Sequence, residues 1–67
     1  MTDEEEQVIR AEIARLREEH RDLDTAIAAM AEAGHDPFSL QRLKKRKLAL
    51  KDRISRLEDQ LLPDIIA

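Results

Sequence analysis

Apolar residues recur along this chain at alternating steps of three and four. In the first half Ile9, Ile13, Leu16, Leu23, Ile27 and Met30 follow that rhythm, with His20 as the single polar member. In the second half Leu40, Leu43, Leu50, Ile54, Leu57 and Leu61 follow it, with Lys47 as the exception. A repeat of this kind puts each set on one stripe of an α-helix, as in a coiled-coil seam. The pattern predicts an all-α chain with one helix over about 3–33, a turn at 34–36, a second helix over about 37–62 and an apolar tail at 63–67. Each helix would be about 40 Å long at the usual rise per residue.

The residues between the two runs are those a helix end and a helix start require. Gly34 suits the left-handed position just past a helix. Asp36 suits an N-cap and Pro37 the first helical position, where a missing N–H costs nothing. Ser39 is an alternative cap, and Pro63 disfavours helical geometry in the residue before it, so the second helix should stop near Leu62.

So short a connection forces the helices to lie side by side and antiparallel. The two runs then match level for level. Met30 faces Leu40, Ile27 faces Leu43, Leu23 faces Lys47 and His20 faces Leu50. Leu16 faces Ile54, Ile13 faces Leu57 and Ile9 faces Leu61. Every pair of residue numbers adds to 70, which places the fold-back at residue 35, inside the expected turn. The fold class is therefore a two-helix antiparallel hairpin forming a single domain over 1–67.

Charge changes this picture in one respect. Residues 1–33 carry ten acids and four bases, whereas 38–59 carry eight bases and three acids. Complementary arms suit a chain folded on itself, and a basic arm can also mark a nucleic-acid surface. By level, Arg10–Glu58, Asp24–Lys44 and Glu19–Arg53 are favourable neighbours and Arg17–Lys51 is not. Exposed pairs of this kind contribute roughly 0–1 kcal/mol each, enough to tune register but not to hold the fold.

Composition limits the function classes. The 67 residues include one aromatic (Phe38), one Gly and no Cys, with 40% charged residues. A disulfide framework and a thiolate zinc site are therefore excluded. There is no Gly-rich phosphate loop, nucleophile elbow or metal-protease pair, and a two-helix hairpin encloses no pocket for chemistry. The chain is read as non-enzymatic, with no catalytic, cofactor or metal residues. The acidic start is unlike a secretory signal, and the longest apolar run, Ala26–Ala31, is far shorter than the roughly 20 residues of a membrane span. A cytoplasmic protein without a membrane partner is the expectation.

Two facing stripes are a small core. Ordering costs roughly 1.5 kcal/mol per residue, and in small scaffolds apolar burial barely offsets it. Apolar residues also remain off the seam at Val8, Leu48, Leu62, Ile65 and Ile66, with Leu48 and Leu62 two heptads apart on one side of the second helix. These five are the candidate oligomer or partner interface. Two hairpins joining into a four-helix bundle is the simplest assembly.

Three further features are candidates for function. His20 is read as a half-buried register residue with Glu19 and Asp24 as hydrogen-bond partners. Lys47 is read as a seam lysine whose stem packs and whose ammonium reaches water. Arg42, Lys44, Lys45 and Lys51 form a basic strip able to follow a phosphate backbone, although no aromatic residue lies within it for base stacking.

Two motifs carry a resemblance. Glu19-His20-x-x-Leu23-Asp24-x-x-Ile27 is followed by Leu43-Lys44-Lys45-Arg46-Lys47-Leu48-Ala49-Leu50-Lys51-Asp52-Arg53-Ile54. Together they resemble the YdcH-like family of small bacterial proteins of unknown function, over about Ile13 to Ile54. The resemblance implies a helical hairpin from a bacterial cytoplasmic protein and implies no activity. It places His20, Lys47, Leu48, Lys51 and Asp52 among motif positions. The expected role is a self-associating protein-interaction module, and the alternative is a nucleic-acid-associated protein using the basic strip.

Overall fold

The structure, a computed structural model, describes residues 1–61. It contains two helices, α1 (Asp3–Glu32) and α2 (Pro37–Leu61), packed against each other as an antiparallel hairpin. Its extents of 47 × 25 × 14 Å leave room for a single helical layer. Leu62, the expected last helical residue, and the apolar tail with Ile65 and Ile66 lie outside the described residues.

Local chemistry accounts for each helix end. Thr2 caps α1, its Oγ1 accepting the Glu5 N–H at 3.1 Å. Asp3, Glu4, Glu5 and Glu6 fill the first turn, where the helix dipole favours negative charge. At the other end α1 stops one residue before the expected limit, with Ala33 as its C-cap. Gly34 then turns into left-handed geometry at φ 75°. The N–H of His35 bonds the Met30 carbonyl at 3.1 Å and that of Gly34 bonds Ala31 at 3.3 Å. This pair of bonds is the Schellman closure, which satisfies carbonyls that a helix end would otherwise leave open.

Asp36 then starts α2. Its two carboxylate oxygens accept the N–H of Phe38 at 3.2 Å and of Ser39 at 3.3 Å. Ser39 is not the cap; its hydroxyl donates to Asp36 instead, at 3.2 Å.

The seam is as the pattern predicts: all fourteen positions are buried or half-buried. Only Ile13, Leu16, Ile27 and Ile54 are buried, however, and the other ten are half-buried. Ile13, Leu16 and Ile54 form one cluster with Ile9, Leu50, Leu57 and Leu61 around them, while Ile27 is buried separately toward the turn. The polar level of His20, Leu23 and Lys47 lies between the two, so the seam is two apolar pieces rather than one.

Candidate functional site: the charged edges of the hairpin

Residues seven apart share a row on a helix, so the rows flanking the seam can be followed from their ion pairs. Arg17 pairs with Glu58, and Lys47 Nζ lies 2.8 Å from Asp24 Oδ1. Arg10, Arg17 and Asp24 on α1 therefore share an edge with Lys44, Lys51 and Glu58 on α2. On the other edge Arg53 lies 3.8 Å from Glu12, which groups Glu12, Glu19 and Ala26 with Arg46, Arg53 and Gln60. A shallow hollow lined by Glu19, Asp22, Leu23, Ala26, Arg46 and Leu50 runs along this second edge.

The first edge is the cationic one. Arg21 adds to it from the same face of α1, four residues after Arg17 and seven after Ala14. A groove between the helices is lined by Arg10, Ile13, Ala14, Arg17, Glu18, Arg21, Glu58 and Leu61. Arg21, Lys44 and Lys51 are exposed and form no ion pair among the described residues. The acids of α1 on this surface are Glu18, which lines the groove, and Asp24, which is held by Lys47, while Glu12 and Glu19 stand on the opposite edge. Charge is thus unevenly divided between the edges as well as between the arms.

The individual pairings differ from those expected by level. Arg10 bonds Glu6 on its own helix at 2.8 Å, leaving Glu58 to Arg17. Asp24 takes Lys47 rather than Lys44. Glu19 bonds Arg15 at 2.6 Å, and Arg53 turns to Glu12. The cause is reach: side chains of Arg and Lys span a turn or more, and an (i,i+4) carboxylate competes with one across the seam.

The polar seam residues also settle into particular roles. Lys47 keeps only 28% of its side chain exposed, and its ammonium ends on a carboxylate rather than free in water. The bond from Lys47 holds the Asp24 carboxyl below its ordinary value of 3.8, with the lysine charge adding to the effect. Glu12 is likewise held below its usual range, first by its hydrogen bond from Arg15, with desolvation working against the shift. His20 is half-buried as expected, but it makes no hydrogen bond to Glu19 or Asp24 among the described residues, since Arg15 and Lys47 take those carboxylates.

Among the proposed interface residues, Val8 and Leu48 are 69% and 63% exposed. They do not form one patch. Val8 lines a hollow with Glu4, Glu5 and Ile9, whereas Leu48 lines another with Pro37, Leu40, Gln41, Lys44 and Lys45. Phe38 is a surface feature that helical periodicity does not mark. It is 76% exposed and shares a row of α2 with Lys45, one heptad on. Its absence from the seam pattern was the available signal. Arg42 and Lys45 are exposed as well.

Among the described residues no helix is long and apolar enough to cross a membrane, and no three His, Asp or Glu side chains converge as metal ligands. Comparison with curated proteins and with solved structures finds no match. The family model described as "Protein of unknown function (DUF465)" matches residues 13–58, a span that contains both motifs of the YdcH-like resemblance. The chain belongs to this family of proteins of unknown function.

Proposed function

We propose that this protein is a non-enzymatic helical hairpin of the bacterial cytoplasm that self-associates and serves as a protein-interaction module. The observation that carries this reading is the thinness of the core. Only four seam residues are buried in the single hairpin, while Val8, Phe38 and Leu48 stand open to solvent. A scaffold this small ordinarily needs a staple or a second chain to offset its ordering cost. The chain has no Cys for a staple. Sedimentation equilibrium tests the reading: a species of twice the 7.8 kDa chain mass or more is expected at micromolar concentration. A single 7.8 kDa species at all concentrations would refute it.

Two observations favour a second reading, association with nucleic acid. Arg42, Lys44, Lys45 and Lys51 are exposed without ion-pair partners among the described residues. Phe38, in line with Lys45, adds an exposed ring on which a base can stack. Binding of a 20-nucleotide single strand, measured by anisotropy, would then weaken steeply with salt and on Phe38→Ala. An absence of binding at 50 mM salt removes this reading.

A further inference from the structure

The cationic groove has a self-complementary row of residues. Asp3 is one heptad before Arg10, and Gln7 one heptad before Ala14, so both continue the row that lines the groove. Along α1 the row reads Asp3, Gln7, Arg10, Ala14, Arg17, Arg21, with steps of four, three, four, three and four. The steps are the same in either direction. Laid antiparallel against a copy of itself, the row sets Asp3 against Arg21, Gln7 against Arg17 and Arg10 against Ala14. Each of these pairs adds to the same residue number, 24, which is the condition for a two-fold axis.

We propose that the groove receives the first turns of α1 from a second copy of this chain, in an isologous antiparallel contact centred between Arg10 and Ala14. The proposal rests on the self-association reading and names the surface that would perform it. Charge selects the occupant. Arg21 has no carboxylate partner among the described residues, and Asp3, Glu4 and Glu5 have no cationic partner there. One copy thus carries one unpaired cation at the groove, Arg21, and unpaired acids in the first turn of the same helix, among the described residues. Juxtaposing them joins two Asp3–Arg21 pairs per dimer, one on each side of the axis.

Shape agrees with charge. Ala14 is the small residue at the centre of the row, where two helices come closest. The Arg10 stem of the second copy can lie over it, beside Ile13 and Leu61 of the groove. A phosphate backbone fits less well. It would meet the carboxylates of Asp3 at one end of the row and Glu58 at the groove wall, both of which a second copy's arginines accommodate.

A charge swap with rescue tests the contact. The wild-type chain, Arg21→Glu, Asp3→Arg and the double variant would be compared by sedimentation equilibrium at 50 mM and 500 mM salt, with helicity followed by circular dichroism. Both sites are exposed, so helicity is expected to be retained. Each single reversal should raise the dimer dissociation constant by about tenfold or more, because like charges then meet on both sides of the axis. The double variant should return to near the wild-type value, and salt should weaken the wild-type dimer. A wild-type dimer that is indifferent to both single reversals overturns this contact and leaves self-association standing. Loss of dimer without recovery in the double variant also overturns it. A wild-type chain that stays monomeric overturns both. Arginine reversal that leaves the dimer intact but abolishes capture of a poly-glutamate peptide or an RNA strand assigns the groove to that other occupant and overturns the proposal.

Discussion

Lys47 of α2 crosses the seam to Asp24 of α1, its Nζ 2.8 Å from Oδ1. The lysine thus occupies a seam position with its stem and the hairpin edge with its charge. That arrangement explains how a cation is accommodated between the apolar cluster and Ile27. Its side chain is largely covered, yet its charge ends on a carboxylate that is itself 61% exposed to water. No charge is trapped in a dry interior, so the pair fixes the level of the two helices without the heavy desolvation cost of a buried ion pair.

The pair makes a prediction about acid. Asp24 has its carboxyl pKa lowered by the folded state, chiefly through the hydrogen bond from Lys47. A group with a lowered folded pKa contributes its stability above the unfolded value and loses it as pH falls through the folded one. The contribution should therefore be constant from neutral pH down to about 4 and disappear below that. Thermal melts of wild type and Asp24→Asn from pH 2 to 8 check it. The wild type should melt higher above pH 5, and the two curves should converge in acid; a constant offset across the range would refute the assignment.

Replacing Lys47 with Leu should raise the melting temperature. A pair whose carboxylate is open to water contributes little, whereas full burial of a leucine side chain contributes about 1.5–3 kcal/mol. Asp24 would lose its partner but remain hydrated. The same substitution would join the separate apolar pieces of the seam and remove the polar residue that fixes its register. A gain in melting temperature with a broader distribution of oligomers in sedimentation is the expected outcome. An unchanged melting temperature would mean the leucine cannot pack at this level.

The seam could be read from the sequence because helical periodicity is a one-dimensional property. Every residue from Ile9 to Leu61 assigned to it is at least half-buried. The turn was equally legible, since Gly34, Asp36 and Pro37 each suit one backbone position. The ion pairs were not. Arg10 has Glu6 and Glu58 in prospect, and only the folded geometry decides that Glu6 wins. Charge counted by arm also concealed the cationic edge, because Arg10, Arg17 and Arg21 sit in the acidic arm. Their shared row with Lys44 and Lys51 emerges only when the two helices are placed together. Phe38 escaped because a lone exposed ring produces no period.

Truncation along the seam should report its division into pieces. Leu16 is the most deeply buried side chain, at 2% exposure, and lies in the larger cluster. Leu16→Ala should cost about 2–5 kcal/mol, which for so small a fold means loss of most helicity at room temperature. Leu40→Ala, at a half-buried position beside the turn, should cost distinctly less. Circular dichroism with urea titration compares them; equal losses would show that the two apolar pieces behave as a single core.

The turn supplies the last prediction. Gly34 holds φ at 75°, and a Cβ added there would meet nothing within 4 Å. Gly34→Ala should therefore destabilise through backbone conformation alone, by about 1–2 kcal/mol, the cost of left-handed geometry for an ordinary residue. Gly34→Asn should cost less, since asparagine tolerates that region better. Asp36→Ala acts by a different route. It removes the acceptor for the N–H groups of Phe38 and Ser39 and should cost about 0.5–2 kcal/mol. The conformational and capping effects can be separated by urea titration of the two single variants and the Asp36→Asn variant. Asparagine retains a capping oxygen and should recover most of the loss at position 36. If Gly34→Ala proved neutral, the left-handed turn would not be the conformation the chain uses in solution.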